Sequence, residues 1–267
     1  WSPPTDVSGG ALTDNLALGV AGNGDAIFLG RAGDHLAGLV RRAGTWSTPQ
    51  DLSIVGETPA MFDVTVAADP NGTMAAGWFS SVDATSLLGV RVAISRPGSS
   101  TFEPAEMMLA AEYNSFSPPQ MTLDDAGNLV IASVVSTDNG AHTSLRIMRC
   151  SIAGRTLCQP VEIVDGVFRA QLIEPSSGHP VVVWATLTGD VRIADVGPTG
   201  LTGVGAVVTG QTTNMLEAWA GGGSVVLQWN DGNSWVHVAR VGGTWNLPAS
   251  QADRITDVAF APDGTMY

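Results

Sequence analysis

One short motif constrains this chain more than any other feature: Gly44-Thr45-Trp46-Ser47-Thr48-Pro49 returns as Gly243-Thr244-Trp245-Asn246-Leu247-Pro248. Weaker copies lie at Ser100-Thr101-Phe102-Glu103-Pro104 and Arg155-Thr156-Leu157-Cys158-Gln159-Pro160, and the chain opens on Trp1-Ser2-Pro3-Pro4. A chain that repeats itself at this spacing folds as copies of one supersecondary unit, so the repeat fixes the architecture before any single residue does.

A second marker runs between the first: a Gly turn followed by an apolar run. It occurs at Gly24, Gly72, Gly127, Gly178, Gly223 and Gly264, with separations of 48, 55, 51, 45 and 41 residues. Asn-Gly and Asp-Gly turns flanked by apolar runs signal hairpins, because glycine accepts the positive φ of a tight turn. The run after each turn, such as Val181-Val182-Val183-Trp184, is almost wholly apolar. That pattern belongs to a strand buried on both faces. Arg closes the third strand of most repeats: Arg41 or Arg42, Arg96, Arg149, Arg240 and, less regularly, Arg192.

Four-stranded units of this length, each with a doubly buried second strand, stack face to face around an axis. The expectation is an all-β, six-bladed β-propeller. Full blades are expected over residues 14–55, 62–110, 117–165, 167–209 and 213–251, in a single domain over 1–267. A sixth blade is shared by 1–7 and 254–267 and is expected to be incomplete, as if the chain were cut short; a seven-bladed ring is the alternative. Small first strands suit the crowded axis, and the Trp or Phe at the fourth strand fills the wide outer edge. The Pro after it suits an edge strand, which spares a ladder N–H.

The balance of charges narrows the partners. Twelve basic side chains, all Arg, oppose 25 acidic ones, for a formal charge of -13. A nucleic-acid partner needs a basic stripe, and an anionic membrane surface would repel such a chain. No apolar run is long enough to span a membrane. The absence of Lys beside abundant Ala, Gly and Val is the composition of a GC-rich bacterial genome. Cys150 and Cys158 flank a Gly-containing turn, where cross-strand neighbours come within disulfide reach; two buried thiols are the alternative. A disulfide implies an oxidising compartment: periplasm, cell surface or medium.

The pattern Thr-Trp-x-x-Pro … Asp-x-x-Gly-x-x-x-x-x-Trp resembles bacterial repeat proteins with sialidase-like propellers, and the resemblance covers all five full repeats. It implies the propeller fold. A sialidase would add Ser-x-Asp-x-Gly-x-x-Trp boxes, three Arg on one acid group, and a Tyr nucleophile with a Glu. Here Asp69-Pro70-Asn71-Gly72 has one residue too many before Gly, and Tyr occurs only at 113 and 267. The resemblance is therefore one of fold.

Propeller ligands enter where fourth-to-first and second-to-third connections gather at one mouth. Residues near first-strand starts face it: Asp14, Asp63, Arg169, Asn214, Arg254 and Asp257. The longest connections, 55–62, 80–86, 110–116 and 136–142, belong to blades two and three, and long loops on a rigid scaffold carry function. There Glu112 beside Tyr113 is the candidate for acid/base or sugar-stacking chemistry, against a solvated loop, with His142 on the same rim. Trp235, after Asn230-Asp231-Gly232-Asn233-Ser234, is the Trp nearest a loop and a candidate ligand platform. His35, His142, His179 and His237 show no metal-ligand spacing. Asp69-Pro70-Asn71-Gly72 and Asp124-Asp125-Ala126-Gly127 offer clustered oxygens to Ca²⁺, or serve simply as hairpin turns. No other cofactor is expected.

Two functions follow. The first is an extracytoplasmic propeller that binds a protein or glycan through rim loops. The second is a carbohydrate-active enzyme, a sialidase-like hydrolase or lyase, with its site at the mouth.

Overall fold

The computed structural model describes residues 8–82, 88–115, 119–136, 142–152, 158, 160–176, 178–210 and 215–267. The described residues contain strands and turns and no helix. Antiparallel sheets follow one another along the chain. Blade one holds Asp14–Val20, Ala26–Ala32 and His35–Arg42, with Thr45–Trp46 and Gln50–Asp51 outside them. Blade two holds Glu57–Ala68, Met74–Val82, Leu88–Ser95 and Glu106–Ser115. Blade three holds Gln120–Leu123, Asn128–Ser136, Thr143–Ser151 and Pro160–Asp165. Blade four holds Val167–Ser176, His179–Thr186, Val191–Gly197 and Gly200–Val208. Blade five holds Leu216–Gly221, Ser224–Asn230 and Trp235–Val241, with Thr244–Trp245 and Ala249–Gln251 outside.

The second strands show why these sheets stack. Successive side chains of a strand point to opposite faces. In blade three, Leu129, Ile131 and Val135 pack with Phe79 and Val92 of blade two. The alternate residues Val130, Ala132 and Val134 pack with Val182 and Trp184 of blade four. In blade four the other face, Val181, Val183 and Ala185, packs with Leu227 and Trp229 of blade five. The second strands of blades two, three and four are thus each shared between two inter-blade cores, as their sequences require. The first strands converge on the axis, where Leu18, Val66, Met121, Leu172 and Glu174 line a channel of about 230 Å³. Gly19 eases the close approach there, since a Cβ would stand 3.0 Å from the Val66 side chain.

The marker glycines sit where the sequence placed them. Gly24, Gly72, Gly127, Gly178, Gly223 and Gly264 have φ of 83°, 91°, 71°, 73°, 79° and 82°. The turn bond from Gly24 N–H to the Ala21 carbonyl recurs from Gly72 to Asp69, Gly127 to Asp124 and Gly264 to Ala261. The bond from Ala21 N–H to the Asp25 carbonyl likewise recurs from Ala261 to Thr265. With the Phe260–Met266 bridge, this makes 254–267 the start of a sixth repeat. The fold is a six-bladed β-propeller; the pairing of residues 1–7 with this segment lies outside the described residues.

Three features differ from expectation. Residues 57–62 and 80–82, expected in connections, extend blade two's first two strands, Glu57–Ala68 and Met74–Val82, which pair through Glu57–Val82 and Thr58–Ser81. Residues 110–115 are strand, not loop: Glu106–Ser115 pairs with Leu88–Ser95 and then, through Asn114 and Ser115, with Ser136 and Val135 of blade three. The run Met107-Met108-Leu109-Ala110-Ala111 carries no Gly or Pro to stop it, so blades two and three share one continuous sheet. Phe102 also precedes the fourth strand rather than opening it. Its ring, 5% exposed, packs against Leu52 of blade one, and a Cβ on Gly38 would meet it at 2.6 Å.

Polar fasteners cross the blades. Arg42 donates from Nη1 to Asp25 Oδ2 and to the Gly72 carbonyl, each at 2.7 Å. It also reaches the Arg96 carbonyl at 2.7 Å, the Ser99 carbonyl at 2.8 Å and Ser95 Oγ at 3.1 Å. Gln50 clasps the Phe102 backbone, donating Nε2 to its carbonyl at 2.9 Å and accepting its N–H at 2.8 Å. Cys150 and Cys158 form a disulfide with a Cα–Cα distance of 5.6 Å. The Cys158 N–H donates to the Met108 carbonyl of blade two at 3.0 Å.

Candidate functional site

The mouth is the end of the propeller where first strands begin and second strands turn into third strands. Three charged or aromatic groups meet there between blade five and the sixth repeat. Glu217 is the second residue of Leu216–Gly221. Arg254 comes from the sixth repeat and grips both Glu217 oxygens, Nη2 on Oε1 and Nε on Oε2 at 3.0 Å. The Arg254 guanidinium stands 5.6 Å from the centre of the Trp235 ring, within cation–π range. Arg169, exposed at the start of blade four's first strand, adds its charge to the field on Glu217.

Local chemistry holds each member. Trp235 opens blade five's third strand. The loop before it is fastened by Asp231, whose Oδ1 accepts the N–H of Asn233 at 2.9 Å and of Ser234 at 2.8 Å. Gly232, at φ 97°, makes the bend. These backbone N–H bonds keep the Asp231 carboxyl below its ordinary pKa. Beneath the site lies Gln228, fully buried. Its Nε2 donates to Glu217 Oε2 at 2.7 Å and to the Ile255 carbonyl at 2.8 Å, and its Oε1 accepts the Ile255 N–H at 2.8 Å.

Burial raises the pKa of Glu217. Hydrogen bonds from Arg254 and Gln228, with the charges of Arg254 and Arg169, outweigh that effect and leave it below the usual glutamate range. The hydrogen bond to Glu217 in turn raises the pKa of Arg254. The pair is therefore fully ionised at neutral pH. Glu217 is placed to accept hydrogen bonds, not to deliver a proton.

The structure brings Arg254 and Trp235 into contact, with Arg169 as an electrostatic neighbour. It does not bring the other sequence candidates to them. His142 is exposed just before blade three's third strand, two blades from Trp235. Asp63 lies in the irregular part of blade two's first strand, between the pairs Pro59–Ser80 and Val64–Trp78. Tyr113 pairs with Leu88 in backbone register, with Glu112 beside it. The side chains of Asp63, Glu112 and Tyr113 lie outside the described residues, as does Asn214. Glu217 and Gln228, which complete the cluster, were not among the sequence candidates.

A second opening of about 630 Å³ lies at the rim between blades one and two, lined by Arg31, Asp34, His35, Asp51, Val55 and Glu57 among others. Its polar side chains lie in pairs: Arg31 with Asp34 at 3.3 Å and the His35 ring with Asp51 at 3.5 Å. Glu57 is held by Arg91 and accepts Ser80 Oγ at 2.9 Å. On the opposite face, the aspartates considered for Ca²⁺ cap their own turns. Asp69 Oδ1 accepts the Thr73 N–H at 2.9 Å. Asp124 Oδ1 accepts the Ala126 and Asn128 N–H groups, each at 2.9 Å, and Asp124 Oδ2 holds Arg149. Among the described residues no group of three or more His, Cys, Asp or Glu is arranged to hold a metal ion.

No protein-family model and no curated protein matches the chain. Solved structures do. A Hadza microbial sialidase aligns with TM-score 0.59 and 13% identity, over 90% of this chain and 59% of that one. AofleA from Arthrobotrys oligospora aligns with TM-score 0.59 and 12% identity, over 96% and 78%. The Aleuria aurantia lectin in complex with Fucα1-6GlcNAc aligns with TM-score 0.52 and 12% identity, over 91% and 80%. The chain thus spans little more than half of the sialidase. At these identities the shared property is the fold, and the chain is a β-propeller of the kind found in sialidases and in this lectin.

Proposed function

We propose that this chain is an extracytoplasmic glycan-binding propeller that seats a sugar at its mouth, on Trp235, Arg254 and Glu217. The observation that carries the reading is the half-buried Trp235 ring set against a guanidinium that a carboxylate pins in place. A sugar ring has an apolar C–H face and a fringe of hydroxyls. An indole offers the matching apolar surface with few rotatable bonds. Guanidinium has five N–H donors, of which Glu217 engages two, and the carboxylate accepts hydroxyl protons. The lectin and sialidase folds among the structural relatives support a carbohydrate ligand. The disulfide supports an oxidising compartment.

Binding fits the site better than hydrolysis. A glycosidase pair needs one carboxyl whose pKa is raised so that it protonates the leaving oxygen. Glu217 is held the other way.

The test is a glycan array probed with the intact chain, followed by titration of the strongest hit. Trp235→Ala and Arg254→Ala should each weaken binding at least about tenfold, the usual effect of removing an anchor from a binding site. No binding across neutral and acidic glycans, or unchanged affinity in both variants, would reject the reading.

A further inference from the structure

The Glu217–Arg254–Trp235 cluster is built from two parts of the chain that are separate in the repeat pattern. Glu217 and Trp235 belong to blade five, and Arg254 belongs to the sixth repeat. Two sets of contacts hold the sixth repeat to blade five. At the turn end, Phe260 lies against Gly221, where a Cβ would come within 2.8 Å of it, and Ser224 Oγ donates to the Gly264 carbonyl at 3.2 Å. At the mouth end Arg254 pairs with Glu217, and beside that pair Gln228 holds the backbone itself. Its primary amide takes the place of a strand neighbour, giving and receiving one bond each with the Ile255 backbone. The second hydrogen of the same amide goes to Glu217. One fully buried side chain therefore fixes both the carboxylate and the backbone one residue after the guanidinium.

We propose that Gln228 is the positioning residue that docks residues 253–256 on blade five and so completes the Glu217–Arg254–Trp235 site, making ligand binding and docking of this segment one coupled equilibrium. A ligand that needs Arg254 in place binds only the docked form, and by mass action it stabilises that form. The ligand half of this statement rests on the proposed sugar seat. The docking half does not, and it is measurable with no sugar present.

The experiment follows hydrogen exchange of the Ile255 amide and the emission of Trp235, the latter as the difference from Trp235→Phe. It compares the wild type, Gln228→Glu and Gln228→Met at pH 7 and pH 5. The charged groups around residue 228 are Glu217 and Arg254, with Arg169 acting on Glu217, His237 opposite residue 228 in the ladder, and the exposed Asp253 and Asp257. At pH 7, Gln228→Glu sets a second carboxylate against Glu217 and removes the donor to Ile255. Ile255 protection should fall at least tenfold, and the Trp235 signal should move towards that of Arg254→Ala. Two carboxyls sharing a site retain one proton to higher pH, and the introduced carboxyl, once protonated, again offers a donor and an acceptor. Protection in Gln228→Glu should therefore return at pH 5. Gln228→Met, similar in size, should lose protection at both pH values. A contribution from His237 would appear in the wild type and Gln228→Met as well.

The Phe102 amide, clasped by Gln50 far from this site, is the internal reference and should stay protected throughout. Equal Ile255 protection in all three proteins at pH 7 overturns the proposal. So does a loss in Gln228→Glu that pH 5 fails to reverse. Failure of the glycan array with the docking result intact would reject the sugar seat and leave the positioning role standing.

Discussion

The propeller uses one clasp twice, and the two uses end differently. Gln50 and Gln228 each give their amide to the backbone of a neighbouring repeat, at 2.8–2.9 Å in both directions. The Gln50 clasp fixes Phe102, 5% exposed, whose ring fills the gap between blades one and two. The Gln228 clasp fixes Ile255, and the residue before it is Arg254, 45% exposed, reaching across the mouth to Glu217 and Trp235. The hydrogen bonding is the same. What differs is the side chain delivered: an apolar ring closes a core, whereas a guanidinium held in solvent reach makes a site. The fastening arginines show the same contrast. Arg42, 12% exposed, commits its donors to three carbonyls, a hydroxyl and a carboxylate; Arg254, 45% exposed, gives only two donors to Glu217.

If this contrast holds, substitutions at the first clasp destabilise the fold and substitutions at the second disarm the site. The largest effect should come from Phe102→Ala, which empties a packed inter-blade core and should cost about 3–5 kcal/mol, read by chemical denaturation. Arg42→Met should cost a comparable or slightly smaller amount, about 3 kcal/mol, because it strands the Asp25 carboxylate, 14% exposed, without its charge partner. Reduction of the Cys150–Cys158 bridge opens a much shorter loop: a closure of about nine residues is worth about 2–3 kcal/mol, seen as a lowered denaturation midpoint in reductant. Trp235→Ala should alter stability by less than about 1 kcal/mol, as for a partly exposed side chain outside the core, while abolishing most sugar affinity. A Trp235→Ala variant that unfolds like Phe102→Ala would collapse the comparison.

The smallest effect is one of pH. Asp25 is held below its ordinary pKa chiefly by Arg42, against the opposing effect of burial, and Glu217 is held low by Arg254 and Gln228 despite burial. A carboxyl depressed in the folded state contributes stability above its unfolded pKa, about 4, and loses it as pH falls through the folded value. Stability and the Trp235 emission should therefore be flat from pH 7 to 5 as far as these two groups contribute, and should decline below about pH 4. A decline centred near pH 6 would point to a histidine instead.

The sequence made the scaffold legible because its signals are local. A Gly turn at positive φ followed by a doubly apolar strand is written within about ten residues, so Gly72 with Met74-Ala75-Ala76-Gly77-Trp78 reads correctly in isolation. The same holds for the Cys150–Cys158 bridge. Arg at the end of the third strand was visible as a marker but not as a fastener, since Arg42 binds the carbonyls of Gly72, Arg96 and Ser99, and a carbonyl has no sequence signature. The strand over 110–115 was hidden by its own polarity, with Glu112 and Asn114 reading as loop. At the site, Arg254 and Trp235 were found from their place in the repeat. Glu217 was recoverable from the same logic, because it lies near the start of a first strand as Arg169 does. Gln228 was not, because it reads as one strand residue among Val225, Val226, Leu227 and Trp229 until its partner, 27 residues later, is folded against it.

The most direct measurement is isothermal titration of the strongest array glycan into the wild type, Trp235→Ala and Gln50→Met side by side. The account predicts an affinity loss of at least about tenfold, or 1.4 kcal/mol, for Trp235→Ala and no change for Gln50→Met, despite the lower stability of the latter. Equal affinity in the wild type and Trp235→Ala would contradict it.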